Sequence, residues 1–286
     1  MQVIAVFGPT GIGKTAVAIA LAERLRARGE DPVAVSADSM QLYQGLPILT
    51  GAADALQQAQ LEHRLLGFVP VHETYSAGAF AQRAHEEIDG LIAQHRRPIV
   101  VGGTGLYLRA ALADLDLRPP VDPAIRARIA ARDLAELHAE LPPDLNIRPT
   151  DTHRIVRAHE LLATGELPHA TSRQLWTEHT RHPTLLVALV MDREPLYERI
   201  EARVDAMIAA GAAEEVRAVE HTAGATARRA VGFEELLHGD IEAMKRSTRR
   251  YAKRQLTWLR KLPGAHLIDT TSRTPEDVAS ELIAMI

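Results

Sequence analysis

Cysteine is absent from this 286-residue chain, which excludes disulfide bridges, thiolate metal sites and a cysteine nucleophile. A reducing cytoplasm is therefore the compartment that we expect. The chain also lacks any apolar run long enough to cross a bilayer. Its short apolar start, residues 1–7, has neither the basic flank nor the small-residue cleavage site of a signal peptide. We expect a globular protein without a membrane partner.

Positive charge is in deficit overall, because the formal net charge is −4. Such a balance argues against a nucleic-acid binder, whose phosphate contacts depend on clustered cations. Residues 245–261, KRSTRRYAKRQLTWLRK, are the exception, since they include eight Lys or Arg residues and no acid. This local cluster matters more than the total, and it keeps a polyanionic partner open.

Short apolar or β-branched runs alternate with longer amphipathic stretches, the pattern of a parallel sheet with helical crossovers. The predicted strands are residues 3–7, 33–35, 99–101, 185–190 and 265–268. The predicted helices, which carry apolar residues at helical spacing, are residues 15–28, 79–95, 194–220 and 240–262. The predicted fold class is therefore α/β, with helices covering the sheet.

The strand pattern stops between residues 114 and 183, where helical sequence such as DTHRIVRAHELLATGE replaces it. We interpret 114–183 as an inserted helical subdomain, and residues 1–113 with 184–286 as the core. Its predicted edges are Pro119-Pro120 and His182-Pro183, because proline and the residue before it resist helix.

A phosphate-binding loop follows the first predicted strand and leads directly into a helix, as its motif G-x-x-x-x-G-K-[ST] requires. Its glycines let backbone N–H groups surround an anion, and the helix N-terminus adds positive potential. The lysine neutralises phosphate oxygens, and the hydroxyl after it can hold Mg²⁺. The predicted residues of this diphosphate site are Gly8, Pro9, Thr10, Gly11, Ile12, Gly13, Lys14 and Thr15, with Thr15 as the metal ligand.

A phosphate loop alone suggests an ATPase, a GTPase or a kinase, which also holds magnesium with an Asp at the end of a second hydrophobic strand. Here the strand predicted at 99–101 is followed by Gly102-Gly103-Thr104-Gly105, so that acid is missing. Asp38, after the strand predicted at 33–35, is the acid expected near the loop, and Asp192 is a more distant candidate. An ordinary nucleotide hydrolase is therefore disfavoured.

Six further segments follow the loop in order: SADSMQLY at 36–43, YSAGAF at 75–80, VGGTGLY at 101–107, DTHRIVRA at 151–158, VGF at 231–233 and YAKRQLTWLR at 251–260. Together with the phosphate loop they resemble the ordered motifs of bacterial tRNA dimethylallyltransferases. Because the resemblance covers most of residues 3–262, the chain is identified as a member of that family.

The resemblance implies a fold of the P-loop NTPase class with an inserted tRNA-binding domain. It also implies Mg²⁺ dependence and transfer of a dimethylallyl group from its diphosphate to N6 of an adenosine beside the anticodon. The implied partners are dimethylallyl diphosphate and the tRNA anticodon stem-loop, and we expect a monomer. The chain departs from the family pattern at 48–54, ILTGAAD, which lacks a common lysine, and at 63–67, HRLLG, which lacks an acid.

The transfer requires assistance at both ends, because the lone pair of an adenine amine is delocalised into the ring. We predict that Asp38 accepts the amine proton and orients N6; an Asp that caps the next segment or binds Mg²⁺ is the alternative. Cations of the loop stabilise the charge that builds on the leaving diphosphate. By family correspondence Thr104 donates near the bridging oxygen and Arg229 clamps the diphosphate, with the adjacent Arg228 as the alternative clamp.

The target base must leave its stack to reach the site, so the RNA has to be held firmly. The basic tail helix suits phosphates; alternatively its apolar residues only pack it onto the sheet and its cations stay solvated. By resemblance, Asp38, Ser39, Met40 and Gln41 surround the target nucleotide. The other predicted tRNA contacts are Arg126, His153, Arg154, Ile155, Val156 and Arg157 from the insertion, and Lys253, Arg254 and Arg260 from the tail.

Three other functions fit parts of the sequence. A small-molecule kinase would use the phosphate loop, although the missing acid counts against it. A prenyltransferase acting on free AMP or ADP would keep the chemistry, although the insertion and the basic tail favour tRNA. An RNA-binding module with an inactive loop is the third, and the intact Lys14, Thr15, Asp38 and Thr104 argue against it.

Overall fold

The structure is a computed structural model that describes residues 1–118, 121–166 and 175–286. Met1–Leu115 together with Trp176–Ile286 form one compact unit, and Asp116–Leu175 form a second. The second unit is shorter than the insertion predicted at 114–183. Residues 181–183 pair with the first unit instead, since Arg181 N donates to Leu112 O at 2.8 Å and Val3 N donates to Pro183 O at 2.9 Å. The other predicted edge, Pro119-Pro120, lies outside the described residues.

A parallel sheet forms the centre of the first unit and confirms the predicted α/β class. Its six strands among the described residues are β1 Val3–Phe7, β2 Pro32–Ser36, β3 His63–Arg64, β4 Arg97–Gly102, β5 Thr184–Val190 and β6 His266–Asp269. They lie in the order β3-β2-β4-β1-β5-β6, and every pairing is parallel. All residues of β1 and β2 are buried, which explains why these strands read as continuous apolar runs.

Helices cover the sheet and enclose the apolar core of the second unit. In chain order they are α1 Lys14–Ala27, α2 Pro47–Thr50, α3 Ala55–Gln60, α4 Ala77–Ala93, α5 Gly105–Leu112, α6 Pro123–Ala130, α7 Leu134–Ala139, α8 Thr152–Ala163, α9 Arg193–Ala209, α10 Ala212–Val219, α11 Phe233–Leu237, α12 Ile241–Leu259 and α13 Pro275–Ala284. None of the described helices combines the length and the apolar character that a bilayer crossing needs.

Two elements differ from the sequence prediction. The helix predicted at 194–220 is divided into α9 and α10 at Gly211, whose φ of 97° lies in the left-handed region that a continuing helix does not use. The edge strand β3 was not predicted. It has only two residues, both at least partly solvent-accessible, and this is too short to show a periodicity.

The second unit has its own small apolar core. Helices α6, α7 and α8 enclose Ile129, Leu137, Leu141, Ile155 and Ala158. Each helix begins with an aspartate whose side chain accepts hydrogen bonds from first-turn amides. These N-caps satisfy amides that helix geometry leaves unpaired, and so they define where each short helix starts.

The parallel topology brings three loops to one edge of the first unit's sheet. The segments after β1, β2 and β4 all leave from the carboxyl ends of adjacent strands. In open α/β sheets this edge is where ligands bind. The phosphate loop, Asp38 and Thr104 follow these three strands, so the fold places them at the same edge.

Candidate active site

The phosphate loop joins β1 to α1 through two left-handed glycines. Gly11 has a φ of 84° and Gly13 a φ of 98°, a backbone region that side chains with a Cβ rarely adopt. Ile12 between them is buried and holds the loop against the core. This conformation leaves the backbone amides before α1 arranged as they are in an anion-binding loop.

Lys14 is the cation of the loop. Its Nζ donates to Gly8 O at 2.9 Å and to Pro9 O at 3.0 Å. Burial lowers the pKa of Lys14 to about 8; the nearby Asp38 carboxylate opposes the shift, and the Arg203 guanidinium adds to it. A lysine held at this pKa is protonated at neutral pH and is poorly solvated, so an anion in the loop gains more from its charge than it would in water.

Asp38 lies just beyond β2, next to the lysine that it influences electrostatically. Its Oδ1 accepts a hydrogen bond from Met40 N at 2.9 Å, which fixes the carboxylate's orientation. Oδ2 has no hydrogen-bond partner among the described residues and is therefore available to a ligand. The structure brings a carboxylate close to the phosphate loop at the end of β2, although β4 supplies none.

Hydroxyl groups from three segments meet beside Asp38. Thr104 Oγ1 accepts from Ser39 N at 3.4 Å, and it lies 3.3 Å from both Ser39 Oγ and Tyr251 OH. Burial raises the pKa of Tyr251, and the charge of Asp38 acts in the same direction. The phenol therefore stays protonated and can donate. Ser39 and Thr104 were predicted from the sequence, whereas Tyr251 was noted only as part of the motif at 251–260.

The glycines around Thr104 are required by close packing. A Cβ on Gly102 would lie 2.3 Å from Ala37 O. A Cβ on Gly105 would lie 2.2 Å from a ring carbon of Trp258, which belongs to α12. Real Cβ atoms do not approach other atoms this closely. Ala37 and Trp258 can therefore pack against this turn only because residues 102 and 105 are glycines.

Arg203 on α9 is a candidate that the sequence analysis missed. Its charge acts on both Lys14 and Asp38, and burial lowers its own pKa. Nη2 donates to Gly51 O at 3.4 Å, whereas the buried Nε has no hydrogen-bond partner among the described residues. A buried guanidinium N–H without an acceptor is costly, and an anionic ligand beside the loop would satisfy it. One turn earlier, Arg199 Nη1 reaches Ile12 O of the loop at 3.5 Å.

Arg229, the predicted diphosphate clamp, has a different environment. It lines a cavity of about 320 Å³ together with Arg228, Arg250, Arg254 and other residues, and the phosphate loop is not part of that lining. The alternative clamp, Arg228, is neutralised, since its Nε lies 3.0 Å from Glu234 Oε1. Sequence order could not show that α9 supplies the cation near the loop, because α9 and the loop are about 190 residues apart.

Helix α12 both packs on the unit and presents cations. Ala252, Gln255 and Leu259 are buried along one side. Two cations of its first half have carboxylate partners: Lys245 lies 2.7 Å from Asp205, and Arg249 pairs with Glu201. The predicted RNA contacts Lys253, Arg254 and Arg260 are exposed, and no ion pair among the described residues neutralises them. Packing and phosphate binding are therefore compatible on this helix.

In the second unit, two predicted RNA-binding arginines share one carboxylate. Arg126 Nε lies 2.6 Å and Arg157 Nη1 2.9 Å from the buried Glu160. Burial would raise the pKa of Glu160, but its hydrogen bonds to the two arginines outweigh burial and lower it. Arg154, with 69% of its side chain exposed, is the more accessible cation.

Ile155 must be removed from the predicted RNA contacts. Its side chain is fully buried in the apolar core of the second unit, so it cannot touch a ligand. Val156 is partly buried against the same core. The motif around His153 therefore combines a structural face, which the helical spacing of Ile155 and Ala158 creates, with an exposed face that includes Arg154.

The remaining predicted contact, Gln41, directs its amide inward. Its Oε1 accepts from Ser36 Oγ at 3.0 Å, and its Nε2 donates to Gly51 O at 3.1 Å. Gln41 thereby connects the end of β2 to the same carbonyl that Arg203 contacts. This position supports the wall of the site, and contact with the target nucleotide stays a prediction for Gln41.

Fold and site together define a phosphate-loop protein in which the carboxylate follows β2 and a hydroxyl cluster follows β4. The model of the family described as "IPP transferase" matches residues 41–262. The tRNA dimethylallyltransferase of Thermobifida fusca is 40% identical, with 92% of this chain and 88% of that protein aligned. The tRNA dimethylallyltransferase of Anaeromyxobacter sp. strain K is 42% identical over 92% of each chain.

Solved structures agree with this assignment. A tRNA isopentenylpyrophosphate transferase from Bacillus halodurans gives a TM-score of 0.73 at 28% identity, covering 99% of this chain and 95% of that one. A eukaryotic dimethylallyltransferase acting on tRNA gives a TM-score of 0.80 at 26% identity, covering 99% of this chain and 77% of that one. The chain belongs to the IPP transferase family, and the predictions of this family, of its P-loop NTPase-like fold and of a prenyltransferase are confirmed.

Proposed function

We propose that this protein transfers a dimethylallyl group from dimethylallyl diphosphate to N6 of an adenosine next to the anticodon of tRNA. The observation that carries the proposal is the convergence of Lys14, Asp38 and Thr104 at the carboxyl edge of one sheet. Lys14 supplies a cation for a diphosphate, and Asp38 supplies a proton acceptor within its electrostatic reach. The relatives' names supply the substrate class, since they are tRNA dimethylallyltransferases.

On the nucleophile side, Asp38 is the proposed base. N6 of adenine attacks C1 of the dimethylallyl group, the bond from C1 to the bridging oxygen breaks, and its electron pair leaves with the diphosphate. The proton that N6 loses passes to Oδ2 of Asp38, while the Met40 amide holds Oδ1. A fixed carboxylate lowers the barrier because the proton is accepted as the new bond forms.

On the leaving-group side, the loop amides, Lys14 and Arg203 stabilise the charge that develops on diphosphate. We propose Arg203 as the clamp in place of Arg229, since its charge acts on the loop lysine and its Nε lacks an acceptor. Thr104 donates its hydroxyl to the bridging oxygen. Donors that are already in place stabilise the transition state without further reorganisation.

Thr15 is the residue that would help to hold Mg²⁺. No group of three or more His, Asp or Glu side chains among the described residues is arranged to hold a metal by itself. A single protein hydroxyl, that of Thr15, suits magnesium, because this ion commonly takes its ligands from substrate phosphates and water with few protein groups. Bound there, the ion would supply positive charge to the leaving diphosphate.

The proposed RNA surface combines exposed cations of the first unit. Lys253, Arg254 and Arg260 would meet backbone phosphates, and Arg229 with Arg250 in the adjoining cavity would hold a further phosphate. In the second unit, Arg126, His153, Arg154, Val156 and Arg157 remain proposed contacts. These cations favour tRNA over a free nucleotide as the acceptor, because AMP would use few of them.

The test compares acceptors directly. The protein is incubated with Mg²⁺, dimethylallyl diphosphate and either unmodified tRNA or AMP, and the nucleosides are then analysed by mass spectrometry. Prenyladenosine from tRNA alone is the expected result. Product from AMP alone would assign the enzyme to the free-nucleotide class, and ADP formation from ATP would indicate a kinase.

We further propose that the protein acts as a monomer in the cytoplasm.

A further inference from the structure

Helix α12 contributes more than cations to the site. Two of its side chains, Tyr251 and Gln255, are one helical turn apart, and both form hydrogen bonds with the loops that hold the proposed reacting groups. Residues four positions apart lie on the same face of a helix. A single face of α12 therefore contacts the phosphate loop and the Thr104 turn.

Gln255 connects two loops that follow different strands. Its Oε1 accepts from Thr10 N of the phosphate loop at 2.8 Å, and its Nε2 donates to Gly103 O at 2.7 Å. The side chain is 5% exposed, so both bonds form where water does not compete strongly. The primary amide is suited to this bridge because it accepts at one atom and donates at the other.

The glycine at 103 is an independent sign of this contact. A Cβ at that position would lie 2.3 Å from Gln255 Nε2 and 3.3 Å from Lys14 Nζ. The turn after β4 therefore has room for the Gln255 amide and for the lysine only because residue 103 lacks a side chain. The glycine and the glutamine form one packing unit.

Tyr251 connects the helix to Thr104. Its hydroxyl lies 3.3 Å from Thr104 Oγ1, and its ring lies below the Arg254 guanidinium, whose Cζ is 5.4 Å from the ring centroid. The protonated phenol can donate to Thr104 Oγ1, so that the threonine hydrogen is free to point at another acceptor. Tyr251 thereby sets the direction in which Thr104 donates.

We propose that Gln255 and Tyr251 are positioning residues with separable tasks: Gln255 fixes the phosphate loop for diphosphate binding, and Tyr251 orients the Thr104 hydroxyl for the transfer step. The inference rests on the proposed function. Neither side chain needs to touch the substrate, since each acts through a residue that does.

The first test removes the Gln255 bridge without changing the size of the side chain. Gln255→Met should raise the Kd of magnesium pyrophosphate, measured by calorimetry, and the KM for dimethylallyl diphosphate by about tenfold. Thr248→Val is the matched control, since it removes a buried hydroxyl on the same helix whose hydrogen bond, within the part of the chain that the structure describes, goes only to Met244 O. Equal Kd values for Gln255→Met and the control would overturn the role of Gln255.

The second test removes only the Tyr251 hydroxyl. Tyr251→Phe should lower kcat by about three- to tenfold and leave the pyrophosphate Kd unchanged. In a Thr104→Val background the same change should have no further effect, because the group that Tyr251 orients is gone. A fall in kcat of the same factor in both backgrounds would refute the positioning role, and so would an unchanged kcat in Tyr251→Phe.

A third variant separates positioning from simple packing. In Gln255→Glu an ionised carboxylate can accept from Thr10 N, but it cannot donate to Gly103 O and it repels diphosphate. Protonation restores a donor and removes the charge. The ratio of its pyrophosphate Kd to the wild-type Kd should therefore fall as the pH is lowered from 8 to about 4, through the ordinary pKa of glutamate. A ratio that does not change with pH contradicts the bridge.

These outcomes are distinct from failure of the proposed function. Pyrophosphate binding is measured without tRNA or any transfer. If the wild-type protein prenylates tRNA and the variants bind and turn over normally, then only the positioning roles fail. If the wild-type protein does not prenylate tRNA, then the proposed function fails, whereas the effect of Gln255 on pyrophosphate binding still decides its own role.

Discussion

Replacing Arg203 with methionine tests the assignment of the diphosphate clamp. The substitution keeps an unbranched side chain of similar length, so it retains most of the packing against Gly51, where the guanidinium now lies. It removes a charge that acts on Lys14 and Asp38, together with the buried Nε donor. We expect weaker diphosphate binding from a protein that is folded normally.

The magnitude follows from the type of contact. A hydrogen bond to a charged group contributes about 1.5 to 3 kcal/mol, which corresponds to a rise in Kd of between about tenfold and a hundredfold. We expect the upper half of this range, because Nε is buried and competes little with water. The free energy of unfolding should not fall, because burying the charged Arg203 guanidinium costs desolvation energy. Its one hydrogen bond among the described residues, to Gly51 O, is also long, at 3.4 Å.

The assay combines pyrophosphate calorimetry, steady-state kinetics and thermal unfolding. Arg217→Met serves as the control, because the side chain of that arginine is 59% exposed and its one ion pair among the described residues is with Glu214 on its own helix. Arg229→Met should leave the pyrophosphate Kd unchanged but weaken tRNA binding. If Arg229→Met weakens pyrophosphate binding and Arg203→Met does not, then the clamp has been assigned to the wrong helix.

Three further predictions concern the proposed base, the loop lysine and the RNA surface. Asp38→Asn should keep pyrophosphate binding and lower kcat by at least about a hundredfold, since it removes the proton acceptor and a negative charge but leaves the cations of the loop in place; near-normal turnover would falsify that role. Burial lowers the pKa of Lys14 to about 8 and a bound diphosphate raises it, so calorimetry in two buffers at pH 8 should show more proton uptake for the wild type than for Lys14→Arg, and equal uptake contradicts the assignment. Reversing the charge at Lys253 and Arg254 should reduce the salt dependence of tRNA binding by about two phosphate contacts, whereas the same change at Arg24, an arginine of α1 that bonds to Glu276 O, should not; an unchanged slope would mean that α12 only packs against the unit.

The parts of the fold that could be predicted are those with a local signal. Strands β1, β2, β4 and β5 are largely buried and read as apolar runs, and the phosphate loop has a motif with fixed spacing. Strand β6 was predicted from its short apolar run, although only Ile268 of its four residues is buried. The division of the helix at Gly211 was missed because an isolated glycine within an amphipathic stretch does not show whether it continues or ends the helix. The short β3 depends on pairing with β2 and has no pattern of its own.

The site was predictable where each residue follows directly from a motif. Asp38 and Thr104 come directly after strands, so topology alone brings them to the loop. Arg203, Tyr251 and Gln255 lie on helices, and which face of a helix meets the loop depends on tertiary packing. Family correspondence assigned Arg229 to the diphosphate, and that role stays a prediction; in the structure the charge of Arg203 acts on Lys14, whereas Arg229 lines a cavity that does not include the phosphate loop.

The most direct measurement is a crystal structure of the protein with Mg²⁺, an adenosine-containing anticodon stem-loop and a thio analogue of dimethylallyl diphosphate that cannot react. We predict that the diphosphate lies against the backbone amides of residues 11–15 with Lys14 and Arg203 on its oxygens. The adenine N6 should lie between C1 of the analogue and Oδ2 of Asp38, within hydrogen-bonding distance of that oxygen. A diphosphate bound away from the loop, or an Asp38 carboxylate on the opposite side of C1 from N6, would contradict the mechanism.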